Sequence, residues 1–360
     1  MIGSLNNPFT MLKKLLTVLF YLATTIAGLG LLIWLIDDYD MHAIMAQWGH
    51  VGVHGYMTIV LYHMVTVALS ALAWWYLHPS LPFLAFFEAR TVRESAKLLL
   101  PLAQIGGDMI GMRLLILRGG KATPVITATV GDITLEIVSL FLFIGLAIIS
   151  LAFFYSEHAM AHIITAFLIG WVLAFFVLCA FVIAQRYGLL HLIDNAILAI
   201  SKPLLALKES SGRASQTSQG SSAPSLMGLH ASLKALYERP SPLFKSFTTH
   251  LIAWVVSGTE LWLIFWLIDA PITFTQSLIL EALVQAIKSA AFIVPAAIGV
   301  QEGAFILVGS ALGIGGETAL LASLMTRGRH LLQGIPSLLW WHMLESHRLR
   351  RNTHAQNSLT

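Results

Sequence analysis

Charged side chains set inside long hydrocarbon stretches are the residues of this sequence with chemistry to do. Asp132 and Glu136 lie one helical turn apart within the apolar run Thr123–Phe154, so a helix there presents both carboxyls on one face. Glu281, Gln285 and Lys288 repeat that spacing within Ser277–Ile298. Glu260 stands within Phe247–Ile268, and Arg327 and Arg329 interrupt Thr318–Leu344. A charge at the centre of a bilayer costs about 2.5–3.5 kcal/mol on insertion scales, so a fold that keeps these groups must pair or hydrate them. The expected pairs are Arg113, Arg327 or Arg329 with Asp108, Asp132, Glu136 or Glu302 in one polar centre. Such a centre is either a structural ion-pair network or a headgroup site facing a cavity, where basic side chains suit an anionic or polar lipid headgroup.

Two interrupted stretches complete the candidate substrate-binding set. The first carries Gln104, Gly106, Gly107 and Asp108, with Arg113 beyond; the second carries Pro295, Gly299, Gln301, Glu302 and Gly303. No side chain is assigned a catalytic role, although Asp132, Glu136 and Glu302 are the acids a lipid-modifying transferase would have to use. There is no Walker loop, no G-x-S-x-G elbow and no Cys-x-x-Cys. Glu157, His158 and His162 offer a pair of metal ligands at a loop edge without a third, so neither a metal nor another cofactor is expected. Nucleic acid is not an expected partner.

The elements that position these groups follow from composition. Of 360 residues, 57% are hydrophobic and only 11% charged, too few charges to cover a water-facing surface. Apolar runs of bilayer-spanning length recur at Leu15–Ile36, Tyr56–Leu77, Thr123–Phe154, Ile163–Ala184, Phe247–Ile268, Ser277–Ile298 and Thr318–Leu344. The sequence therefore predicts an all-α polytopic membrane protein. Lys13 and Lys14 precede the first run, which lacks a cleavage site and reads as a retained helix. Two segments, Leu98–Leu117 and Gly303–Leu312, are apolar but shorter or broken by Pro and Gly.

Lys and Arg set the expected orientation. Lys13 and Lys14, the group Arg90, Arg93, Lys97, Arg113, Arg118 and Lys121, the basic residues between Arg186 and Lys245, and Arg348, Arg350 and Arg351 all fall on one side. The other side holds Asp37, Asp38, Asp40, Glu157 and Asp269. The positive-inside rule places both termini in the cytoplasm and demands an even number of crossings. Six crossings with two re-entrant hairpins, 98–117 from inside and 277–312 from outside, satisfy it; eight full crossings also do. Residues 1–184 then form an N-terminal membrane half and 246–346 a C-terminal one. Between them, 185–245 is expected to be cytoplasmic, with an amphipathic helix over 189–204 and a disordered linker over 209–225. Residues 347–360 form a cytoplasmic tail.

The two broken stretches correspond. Pro101 through Asp108 and Pro295 through Glu302 each run from a proline to glycine to an acid and then into an apolar stretch. Paired broken helices in the two halves of a chain, reached from opposite faces, point to a transport site and an inverted-repeat-like core. The run Ala89 to Leu115, the run Pro295 to Phe305, the Ser323-Leu-Met-Thr-Arg327-Gly-Arg329 stretch and Gly334-Ile-Pro336 together resemble the HpnL family. These are hopanoid-biosynthesis-associated membrane proteins related to the flippase region of lysylphosphatidylglycerol synthases. The resemblance implies a bacterial inner-membrane protein with a flippase-like fold that handles hopanoid or polar phospholipid, with other lipid-synthesis membrane proteins as further partners. Asp108 stands where that pattern has Glu, and His330 where it has an acid after Arg329. Lipid translocation is the expected function; a non-catalytic scaffold of a lipid-synthesis complex and a membrane-bound transferase are its alternatives.

Overall fold

The computed structural model describes residues 8–37, 39–100, 103–154, 161–186 and 226–357. The expected amphipathic helix over 189–204, the linker over 209–225, and Pro101, Glu157 and His158 lie outside them. Among the described residues the regular structure is wholly helical: α1 Pro8–Asp37, α2 Met41–Leu77, α3 Phe83–Leu99, α4 Ala103–Leu117, α5 Ala122–Phe154, α6 Ala161–Arg186, α7 Leu226–Tyr237, α8 Pro240–Leu267, α9 Phe274–Ala290, α10 Val300–Ala311 and α11 Gly316–Asn357. The chain is an all-α polytopic membrane protein. Ile44–Leu77, Ala122–Phe154, Ala161–Ala184 and Pro240–Leu267 are long and apolar enough to cross a bilayer. At 30 and 42 residues, α1 and α11 also have the length, about 45 and 63 Å at 1.5 Å per residue.

The central pair is α2 and α8, packed antiparallel. Gly55 faces Leu267, His63 meets Glu260, and Lys245 lies 5.8 Å from the centre of the Tyr76 ring. At the Leu77 end of this pair, the chain turns at Pro82 into α3, which runs back along α2. Phe86 packs edge-on against Trp74, and Glu94 comes to His63. The helix breaks after Leu99 and returns as α4. At the opposite, Leu267 end, a Thr273–Gln276 capping box starts α9. That helix runs back along α8, with Leu278 against Gly258 and Glu281 against Ser257. It stops at Ala290, and a 3-10 turn over Pro295–Ala297 leads into α10. These four limbs have 17, 15, 17 and 12 residues, about 18–26 Å each, short of a hydrocarbon core of about 30 Å. The Pro295–Ala297 turn packs against α3, so hairpins entering from opposite ends touch inside the bundle.

Three boundaries differ from the sequence expectation. The first hairpin begins at Phe83, not Leu98, because Arg90, Arg93, Glu94 and Lys97 recur at helical spacing and form its buried face rather than a loop. Arg90 and Arg93 are 6% and 1% exposed, so these two do not bear on the positive-inside count. The run Ser277–Ile298 is not one crossing: α9 ends eight residues earlier, where Ala296, Ala297 and Gly299 adopt φ of 52°, 47° and 75°. Helix α7 was not expected; it lays Leu229, Leu233 and Leu236 against the bundle, with Leu236 over Gly131.

Two apolar cores fill the bundle. One gathers Ile59, Phe143, Leu261, Leu283 and Met325; the other gathers Trp74, Phe86, Leu115 and Ala128. On α2 and α5, the residues between these cores are His63 and the pair Asp132 and Glu136. A polar layer thus lies between two hydrophobic ones. The outer surface is hydrocarbon: α6 leaves Phe176 and Val177 exposed and holds to α5 by stacking Trp171 on Phe141, 4.4 Å between ring centres.

Candidate functional site

The polar layer is built on the face of α3 that carries Arg90, Arg93, Glu94 and Lys97. Arg93 reaches Asp132 at 2.6 Å, Glu136 at 3.2 Å and Asp108 at 2.5 Å, with its guanidinium over the Trp74 ring. Arg90 donates two hydrogen bonds to Glu136 (2.6 and 3.1 Å) and one to Glu94 (2.7 Å). Lys97 closes the group on Asp108 at 2.9 Å. From the other side, His250 of α8 approaches the second oxygen of Asp132 at 2.9 Å. Burying so many ions is tolerated only because each faces an opposite charge; the desolvation of an isolated one costs several kcal/mol. The close approach of α3 and α4 depends on Gly107, where a Cβ would stand 2.6 Å from the Arg93 carbonyl oxygen. That glycine sits next to Asp108 and brings it within reach of α3.

A second group lies farther along α2 and α8. His63 Nδ1 is 2.8 Å from Glu260, whose other oxygen pairs with Arg329 at 2.6 Å. Arg329 also contacts His63 Nδ1 itself and His330 Nε2, the latter at 2.6 Å. The two groups are joined through Glu94, which takes Arg90 on one oxygen and stands 3.8 Å from His63 Nε2 with the other.

The third group holds the broken tip of the second hairpin. Glu302, fully buried, accepts the Gly299 N–H at 2.9 Å and receives Arg327 through both oxygens at 2.6 and 3.1 Å. Arg327 also donates to the carbonyls of Ala296 and Ala297 at 3.3 and 3.4 Å. Left-handed backbone at two alanines costs of order 1–3 kcal/mol per residue and persists only where its surroundings hold it. Gln301 donates to Ser323 on α11, and Glu281 accepts from Ser257 and Gln285. Lys288, half-buried, stands in the field of Glu281, Glu302, Arg327 and Arg329.

Of the residues singled out from sequence, Asp108, Asp132, Glu136, Pro295, Gly299, Gln301, Glu302, Arg327 and Arg329 are drawn into or against this layer. The side chain of Gln104 lies outside the described residues; Gly106 lies within α4, and Gly303 within α10, where its N–H donates to the Gly299 carbonyl at 2.9 Å. Arg327 meets Glu302 as expected. Arg113 does not join: it pairs with Glu345 of α11, away from the centre. The partners of Asp108, Asp132 and Glu136 are instead Arg90, Arg93 and Lys97. Sequence reasoning passed over His63 and His250 as two histidines among fourteen. Their signal was position, since each sits within an apolar stretch.

The family model described as lysylphosphatidylglycerol synthase TM region matches residues 16–337, and the chain belongs to that family. No curated protein and no solved structure matches it.

Proposed function

We propose that this member of the lysylphosphatidylglycerol synthase TM region family moves a polar-headed lipid between membrane leaflets. The observation that carries the reading is one piece of geometry: two interrupted hairpins start from opposite ends of the bundle, touch inside it, and are lined there by groups of buried ion pairs. A headgroup crossing a bilayer needs a polar surface at the depth where lipid offers none, and half-length helices with broken tips supply it while their flanks stay apolar. The cationic members, Arg327 and Lys288 foremost because both retain solvent exposure, suit a phosphate-bearing headgroup. Hopanoid-linked lipids are the finer candidate, suggested by the sequence resemblance. The bacterial inner membrane, with both termini cytoplasmic, is the setting this reading assumes.

The test is leaflet exchange in proteoliposomes, measured as quenching of fluorescent phosphatidylglycerol, phosphatidylethanolamine or a labelled hopanoid by a membrane-impermeant reductant. Exchange faster than in protein-free vesicles, and lost in Arg327→Gln, is the expected result. No acceleration with any of these lipids by folded protein overturns the reading. A lipid product altered in mass, found only when the protein is present, would favour a transferase instead.

A further inference from the structure

Two side-chain relays in this interior share one design. In each, a carboxylate offers one oxygen to an imidazole and the other to a guanidinium: His250–Asp132–Arg93 at 2.9 and 2.6 Å, and His63–Glu260–Arg329 at 2.8 and 2.6 Å. Helix α8 contributes to both, His250 to the first and Glu260 to the second. Ten residues separate these positions, about 15 Å along the helix, or half the hydrocarbon thickness. The gap between relays is bridged by Glu136, Arg90 and Glu94, the last reaching back to His63. We propose that the two histidines are proton-binding sites, and that proton binding and release at them, by way of the carboxylates they face, drives the lipid movement proposed above.

Three observations support it. The first is charge balance. Arg90, Arg93, Lys97, Lys288, Arg327 and Arg329 face Glu94, Asp108, Asp132, Glu136, Glu260, Glu281 and Glu302, one more carboxyl than cation among the described residues. With neutral imidazoles the layer carries an uncompensated negative charge between two apolar cores, and one bound proton removes it. The second is access. Most of this layer is sealed, yet Glu94 and Glu136 keep 21% and 19% of their side-chain surface open, so a proton reaches the network at carboxylates.

The third observation supplies a coupling. His63 is faced by Glu94 from α3, by Glu260 from α8, and by Arg329 and His330 from α11. His250 is faced by Asp132 and, less closely, by Glu136, both from α5. At His63 Nδ1, both an Arg329 N–H and a Glu260 oxygen are within contact, and one nitrogen cannot serve both. A neutral imidazole accepts from Arg329; a protonated one donates to Glu260 and repels Arg329. Arg329 lies two residues from Arg327, the side chain that holds the Ala296 and Ala297 carbonyls and Glu302 at the tip of the second hairpin. Proton binding at His63 therefore removes one of the contacts that fix Arg329, on the same helix that carries Arg327 to that tip. Arg329 regains its contact when Nδ1 gives its proton to Glu260, leaving the imidazole's one remaining N–H at Nε2, toward Glu94.

This inference rests on the lipid-translocation reading, and its test separates the two. Proteoliposomes of phosphatidylethanolamine and phosphatidylglycerol carry a fluorescent phospholipid and a one-unit pH difference across the membrane. In parallel, the histidines of isotope-labelled protein in nanodiscs are titrated by NMR. The expected outcome is a leaflet distribution displaced by up to about tenfold per coupled proton. His63 should change protonation between pH 5 and 8, and His63→Gln should keep basal exchange in part while losing the response to the gradient. Exchange in the wild type that ignores the gradient overturns the proposal and leaves lipid translocation standing, whether or not any variant folds. If no lipid moves, the translocation reading fails by itself and the titration decides alone: imidazoles that hold one protonation state throughout that range overturn the proton sites.

Discussion

The two hairpins reach the middle of the same bundle, but different means fix their tips. In the first, α3 and α4 are bound by side chains: Arg93 and Lys97 converge on Asp108, and Gly107 lets the helices close to backbone contact. In the second, α9 and α10 are joined by strained backbone, with Ala296, Ala297 and Gly299 at positive φ, and the ion pair at it is Arg327 with Glu302. Many mutually neutralising contacts hold the two helices of the first together. In the second, one guanidinium satisfies two carbonyls and a buried carboxylate, beside the packing of Gly299 on α1 and the Gln301–Ser323 hydrogen bond.

Substitutions test that contrast, and Arg93→Ala should have the largest effect. It removes a partner shared by Asp108, Asp132 and Glu136, leaving Lys97, His250 and Arg90, in a layer where breaking a buried ion pair costs about 3–5 kcal/mol. Thermal unfolding in detergent should show most of the protein lost before any transport assay is possible. Arg327→Gln comes next, with about 1–3 kcal/mol of stability lost but lipid exchange abolished, and Arg327→Lys should not restore it because an ammonium cannot span both Glu302 oxygens and the carbonyls. A stability loss as great as that of Arg93→Ala would erase the distinction between the tips. Gly107→Ala should cost about 1–3 kcal/mol, since its methyl group would collide with the α3 backbone. Gly303→Ala, in the second hairpin, finds Leu35 at an ordinary 3.6 Å and should remain within about 0.5 kcal/mol of wild type. The smallest effects belong to Lys234→Ala and Arg239→Ala, outside the layer, with unfolding and exchange both unchanged within about 0.5 kcal/mol.

Much of the architecture was legible beforehand because the bilayer makes length and hydropathy nearly sufficient. Helix α5, Ala122–Phe154, differs from its run by one residue at its start, whereas α2 begins at Met41, well before Tyr56, and α11 continues to Asn357, well past Leu344. Proline and glycine marked the second break, whereas Gly106, Gly107 and Gly111 lie inside an unbroken α4 and Pro101 lies outside the described residues; the acids at Asp132, Glu136 and Glu302 marked the depth of the polar layer. The identities of their partners were not legible. Arg90 and Arg93 read as cytoplasmic-loop charges because a loop and a short amphipathic re-entrant helix have the same composition; only packing against Trp74 and Asp132 tells them apart.

The sequence by itself determined that this chain lives in a membrane, where its helices run, where two of them break, and that charges must be accommodated at depth. Those properties follow from the energy of single residues in hydrocarbon, which is local and additive. The pairing of Arg93 with Asp108, Asp132 and Glu136, the placing of His63 between Glu94 and Glu260, and the contact between opposed hairpins were decided by tertiary structure alone. An ion pair has an energy only at a distance, and in a helical bundle that distance is set by which faces pack, a choice that no residue carries in its own identity.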